Sequence, residues 1–230
     1  VSGVVWFLSS PEAGTISADG LFTSNGQAGG TITVGAKLDD DNATTQLTIN
    51  LHVVDNAGGV SPTDIDTLSN PDPGQTDAAW ATWYPYDKTV FPRGVPAPAW
   101  QFATASQQGT AYYLHITGTA LDYEGYFTGA GQQLRPAQAA WDAMGSASDG
   151  TDLTVQISKL VGGVKYGPIT STMRVAHGSL KGTIYYNTYD SALAGGTGAV
   201  MRIRGNSTTP EVLLGGCRVC HSVAADGSTV

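Results

Sequence analysis

The stretch "GGTITVGAKLDDDNATTQLTINLHVV", residues 29–54, decides the fold class. Ile32, Val34 and Ala36 alternate with Thr31, Thr33 and Gly35, and Leu47, Ile49 and Leu51 alternate with Gln46, Thr48 and Asn50. Side chains of a β-strand point to opposite faces in turn, so a period of two puts these apolar residues on one buried face. The polar run "DDDNATT" between them reads as a chain reversal. Two half-buried strands are therefore expected, the second running from Gln46 to Val54.

The same grammar extends upstream and downstream. "VVWFLS" (4–9) is a strand candidate, and "GTISADGLFTS" (14–24) holds two short apolar stretches around Asp19–Gly20, a hairpin signal. Residues 56–83 are rich in Gly, Pro, Asp, Ser and Thr and read as a linker. Strands are expected in "AYYLHITG" (111–118), "DYEGYF" (122–127), "GTIYYNTY" (182–189) and "AVMRIRG" (199–205). "DLTVQISKLVGGVKYGPITSTMRVA" (152–176) reads as a hairpin turning at Gly162–Gly163. "RPAQAAWDAMG" (135–145) is the one helix candidate, with Pro136 early, apolar spacing Ala137/Ala140/Trp141/Met144, and Gly145 as a stop.

The expected fold class is all-β: two β-sandwich domains, immunoglobulin-like or fibronectin-like, with one short inserted helix. Residues 1–55 form a partial first sandwich, 56–83 the linker, 84–215 the second sandwich, and 216–230 a separate carboxyl-terminal segment. Composition agrees. Hydrophobic residues make up 41% of the 230, enough for packed cores, and 30 glycines suit many tight turns. Charged residues are only 13%, about half the usual share. A net charge of -8 without clustered Lys/Arg argues against a nucleic-acid partner. No run approaches the ~20 apolar residues of a membrane-spanning helix. No basic-plus-apolar leader precedes the first strand, so an export signal is expected to lie outside these residues.

Trp6, "GTISADGLFTS", "GGTITVGA" and "TQLTINLHV" together resemble the bacterial immunoglobulin-like domains of secreted and surface proteins. The likeness covers the first fifty or so residues and implies a sandwich that lacks its first strand here, leaving an open sheet edge. "YPYDKTVFPRGVPAPAWQF", "LKGTIYYNTYDS" and "CRVCHSVAADGS" resemble segments of large secreted proteins of δ-proteobacteria, in which such an element leads into a β-propeller. One such element is present, too few for a propeller. The resemblance implies a location outside the cell or at its surface, with the periplasm as a further option.

The chemistry concentrates in "GGCRVCHSVAADG" (215–227), which holds both cysteines of the chain, Cys217 and Cys220, followed by His221. Two thiols three residues apart can each form a thioether to a porphyrin vinyl group, and the next histidine can ligate the iron. With two cysteines and four histidines, chance would place them so in on the order of one chain in ten thousand. Accident is thereby set aside, and two purposeful readings stand. One is covalent haem c, anchored by Cys217 and Cys220 with His221 as the iron ligand. The other is a tight Cys217–Cys220 disulfide in an exported protein. A thioredoxin-like pair would want a helix after the motif, and zinc would want four protein ligands. For the sixth haem position the candidates are His52, His115, His177, Met144, Met173 and Met201, or a group from another subunit.

Other features carry less. Asp64, Asp66 and Asp72 could ligate calcium, but without regular spacing they read first as solvated turn carboxylates. "AAWATWYPYD" and "TIYYNTY" read as packing aromatics rather than a sugar-binding face. Asp122 and Glu124 in "LDYEGYF" lack the setting of a glycosidase pair, and no G-x-S-x-G occurs. Asn42 and Asn206 fit the N-glycosylation pattern. No enzymatic activity is expected. The expected function is electron transfer outside the cell, with other copies of the chain, assembled by strand exchange, or other extracellular redox proteins as partners. The competing function is that of a structural or adhesive surface protein with the disulfide and no haem.

Overall fold

The computed structural model describes residues 3–103, 107–129, 133–205 and 207–216. The fold is all-β, as the alternation demands, and its residues divide into two compact units. The first is built from residues within 1–91 and 97–177, the second from 92–96 and 178–230. Strand-bearing stretches of the expected 84–215 sandwich therefore fall in both units.

The amino-terminal part of the first unit holds β1 (Val5–Leu8), β2 (Gly14–Ile16), β3 (Phe22–Ser24), β4 (Gly30–Leu38) and β5 (Asp41–Ile49). β1, β4 and β5 make an antiparallel sheet in that order, and β2 pairs with β3. The reversal between β4 and β5 is confined to Asp39 and Asp40, with Asp39 at φ 51. Aspartate is among the few residues that tolerate this left-handed conformation. Leu8, Phe22, Leu47 and Ile49 pack on a small core of Ala13, Ala28 and Ile32. β1 lies at a sheet edge with Val5 and Phe7 exposed.

The expected strand from Gln46 to Val54 is in fact two. It breaks at Asn50, and β6 (Leu51–Asp55) leaves the first sheet to pair in parallel with β11 (Leu121–Thr128). The reason is a change of core. Leu47 and Ile49 serve the small cluster, whereas Leu51 enters the main one and its N–H donates to the Ala120 carbonyl at 2.9 Å. An unbroken period of two in sequence thus serves two different sheets.

The remaining elements that lie wholly or mostly in this unit are α1 (Pro62–Ser69), β7 (Thr82–Tyr84), β8 (Thr89–Arg93), β9 (Trp100–Phe102), β10 (Ala111–Gly118), β12 (Gln133–Leu134), α2 (Gln138–Ala147), β13 (Asp152–Val161) and β14 (Val164–Ser179). The principal sheet has six strands in the order β6-β11-β10-β13-β14-β8. The expected hairpin turns at Gly162 and Gly163, both at positive φ, as a two-residue turn matching the strand twist requires. One face of this sheet carries Leu114, Ile116, Tyr123, Leu153, Val155 and Ile157. These pack against Trp141 and Met144 of α2 and against Trp100 and Phe102 of the small sheet β12-β9-β7. α2 continues through Gly145, the expected stop, to Ala147, which is buried like Met144. Burial of that last turn outweighs the roughly 1 kcal/mol helix cost of one glycine.

α1 occupies the middle of the expected linker. Its start is encoded locally: Ser61 caps the helix by accepting from the Asp64 N–H at 3.2 Å, its hydroxyl donates to the Asp64 carboxylate at 2.9 Å, and Pro62 takes the first turn. Leu68 fixes α1 to the opposite face of the principal sheet, in a cluster with Val60, Ala111, Tyr113, Tyr126 and Leu160.

The second unit contains β15 (Ile184–Ser191), β16 (Thr197–Ile203) and β17 (Glu211–Gly215), an antiparallel sheet with β16 in the centre. Ala199, Val200 and Met201 of β16 are buried. Among the described residues no helix is long and apolar enough to cross a membrane.

Candidate functional site

Cys217, Cys220 and His221 lie outside the described residues. β17 ends at Gly215, so the motif begins two residues past a sheet strand of the second unit.

The side chains considered for a sixth haem ligand fall into three groups. Met144 and Met173 belong to the main core, and Met201 is buried in β16, so packing accounts for all three thioethers. His177 is largely exposed, with Asp149 at 3.9 Å and its ring against Gly150. His52 and His115 share one polar cluster.

That cluster stands on the second face of the principal sheet, where three neighbouring strands bring six side chains together. Along β11, Leu121 and Tyr123 point to the core, so Asp122, Glu124 and Tyr126 point the other way. In the parallel ladder with β6, His52 is opposite Asp122. In the antiparallel ladder with β10, His115 is opposite Glu124 and Tyr113 opposite Tyr126. Directly opposed residues share a face, so register alone gathers two histidines, two carboxylates and two tyrosines.

The contacts are specific. Nε2 of His52 lies 3.0 Å from Oε1 of Glu124, and Nε2 of His115 lies 2.8 Å from Oδ1 of Asp122. The Tyr126 hydroxyl donates to Oε2 of Glu124 in a short hydrogen bond. Tyr113 stacks between His115 and Tyr126, at ring-centroid distances of 5.4 and 4.9 Å. Ligand atoms of His52, Asp122 and Glu124 all lie within 4.8 Å of one another. Burial works to raise the Glu124 carboxyl, but hydrogen bonds from Tyr126 and His52 outweigh it and hold the group below its ordinary value. Burial, then the hydrogen bond to Glu124 and its charge, push the Tyr126 phenol up.

The two histidines and two carboxylates are each candidates by sequence, but nothing in the sequence joins them. By sequence His52 and His115 are separate candidates for a sixth haem ligand, and Asp122 and Glu124 lack the setting of a glycosidase pair. The missing information was the parallel β6–β11 pairing, which joins residues 70 apart. Within strands, the i, i+2 spacing of Asp122 and Glu124 was the available signal.

The other sequence candidates divide between packed and exposed positions. Asp64 belongs to the cap of α1, and among the described residues no metal-type grouping includes Asp64, Asp66 or Asp72. The expected packing role holds for part of the aromatic stretches only: Trp80 is buried beneath the Lys159 ammonium, 4.7 Å from the ring centre, and Tyr84 packs edge-on against Phe91, whereas Trp83, Tyr86, Tyr186 and Tyr189 are exposed.

No protein-family model matches the chain, and no curated protein matches it. Two solved structures show distant similarity. The crystal structure of the S-layer protein rSbsC(31-844) is similar over 92% of this chain at 11% identity with a TM-score of 0.26, and the chain spans 24% of its length. The structure of the S-layer protein SbsC domains 4 and 5 is similar over 76% of this chain at 10% identity with a TM-score of 0.22, and the chain spans 71% of its length.

Proposed function

We propose that this chain is an exported protein of β-sheet units that carries one covalent haem c and transfers electrons at or outside the cell surface. The observation that carries the reading is the run Cys217–Arg218–Val219–Cys220–His221, the sole cysteines of the chain immediately followed by histidine. Its donor set, two thiols and one imidazole, is the set that covalent haem attachment uses. Cys217 and Cys220 would hold the porphyrin and His221 the iron, and the haem would supply one-electron redox chemistry. The remainder of the chain would be scaffold.

Burial of Met144, Met173 and Met201 supports a sixth position served by a histidine, by a neighbouring copy, or by solvent. His177 is the most accessible histidine of this chain with a described side chain. The exposed edge strand β1 supports self-assembly by strand exchange as the route to regularly spaced haems.

The test is expression with a cytochrome c maturation system, followed by visible spectroscopy before and after acid-acetone extraction. A Soret band that survives extraction in the wild type and is lost in the C217S/C220S variant is expected. A colourless wild type with a Cys217–Cys220 disulfide would leave the structural surface protein in its place.

A further inference from the structure

We propose that His52, Asp122 and Glu124 form a binding site for one divalent cation of the zinc class, separate from the haem motif and independent of it. The site rests on the cross-strand pairing of β6, β11 and β10, so its backbone is held by a six-stranded sheet rather than by loops.

Three observations support the assignment. The first is reach. Zinc binds imidazole nitrogen at about 2.0–2.1 Å and carboxylate oxygen at about 2.0–2.2 Å, so ligand atoms around a tetrahedral ion stand roughly 3.3 Å apart. The donor atoms here already lie within 4.8 Å of one another, and rotamer adjustment alone can close that gap.

The second is the outer shell. A carboxylate that binds metal through one oxygen is usually held by a hydrogen bond to the other. Glu124 receives Tyr126 on Oε2 and presents Oε1 to His52, while Asp122 receives His115 on Oδ1. Oδ2 of Asp122 takes no hydrogen bond among the described residues. Each carboxylate thus has one oxygen held by a neighbouring side chain, His115 for Asp122 and Tyr126 for Glu124. His115 and Tyr126 are positioning residues, and Tyr113 braces both rings.

The third is charge. Two carboxylates converge, and among the described residues neither forms an ion pair with lysine or arginine. A neutral imidazole with two carboxylates balances a divalent cation without remainder. His52 is half exposed, so the ion would exchange with solvent and complete its shell with water.

The competing account is two ordinary histidine–carboxylate pairs with no affinity for metal. The full chain carrying C217S/C220S separates the two, because those thiols are themselves zinc ligands and their removal leaves the sheet cluster as the site under test. Isothermal titration of the chelator-stripped protein with Zn(II) should show one equivalent bound. H52A and E124Q should each weaken binding on the order of a hundredfold, and H115A and Y126F by about tenfold. H177A, which removes a histidine near Asp149 elsewhere on the unit, should leave it unchanged. Circular dichroism of H52A and E124Q verifies the fold, and H52Q gives a second test at the same position. No uptake by the C217S/C220S chain would overturn the proposal. So would uptake unchanged in H52A, H52Q and E124Q, or lost equally in H177A. Either result leaves the haem reading intact, since its cysteines are absent from this experiment.

Discussion

Lys159 offers the sharpest test of how the first unit is held together. It lies on the apolar face of β13 and is only 1% exposed, with its ammonium 2.7 Å from Oδ2 of Asp77, 2.7 Å from the Gln107 carbonyl and 4.7 Å from the centre of the Trp80 ring. A buried ion pair adds little over a hydrophobic replacement, but removing one partner leaves a charge in low dielectric at a cost of about 3–5 kcal/mol. In D77A the ammonium keeps the Gln107 carbonyl and the Trp80 ring, so the lower end applies, about 3 kcal/mol. For a chain of this size that is a fall in Tm of about 6–12 °C. K159M removes the cation and keeps the packed stem, and the Asp77 carboxylate it leaves is partly solvated. Its cost should be about 1 kcal/mol, typical of a volume-conserving exchange. The double variant D77A/K159M should then be more stable than D77A alone. Urea unfolding of the four proteins measures all these terms. A D77A variant within 1 kcal/mol of wild type, or a double variant less stable than D77A, would refute the reasoning.

Three further outcomes are expected. L68A should cost about 3 kcal/mol, because Leu68 is the fully buried residue by which α1 packs on the sheet, and urea unfolding should show it; an indifferent variant would mean that α1 is not part of the fold. G20A should cost about 1–2 kcal/mol, since Gly20 has φ +83 and an added Cβ would stand 2.6 Å from the Trp6 ring. Its thermal melt checks this. Glu124 has a folded-state value below its ordinary 4.5, so its contribution is complete above pH 4.5 and is lost as the pH falls through the lower folded value. Stability of E124Q, measured by denaturant titration from pH 6 downwards, should therefore fall less steeply below pH 4.5 than that of wild type.

Much of the fold was legible because strand alternation and turn chemistry are local. The Gly162–Gly163 hairpin, the β4–β5 reversal and the helix around Trp141 were all written in short windows of sequence. α1 was not read: its start signal, Ser61, Pro62 and Asp64, fills one turn and stands among prolines and glycines that read as a linker. The break at Asn50 could not be read, since Leu47, Ile49 and Leu51 keep perfect alternation across it and only their tertiary partners differ. The polar cluster failed to emerge for the same reason. Its carboxylates and histidines come from three strands whose order, β6-β11-β10, joins the chain non-sequentially. The run Cys217–Arg218–Val219–Cys220–His221 is the opposite case, two thiols and an imidazole specified entirely by adjacency.

The most direct measurement is the intact mass of the purified chain under reducing conditions, after maturation in a haem-attaching host. The account predicts a mass greater than that of the polypeptide by one haem, and the bare polypeptide mass for C217S/C220S. A wild-type mass equal to the reduced polypeptide, two hydrogen atoms heavier than the unreduced form with its Cys217–Cys220 disulfide, would contradict it.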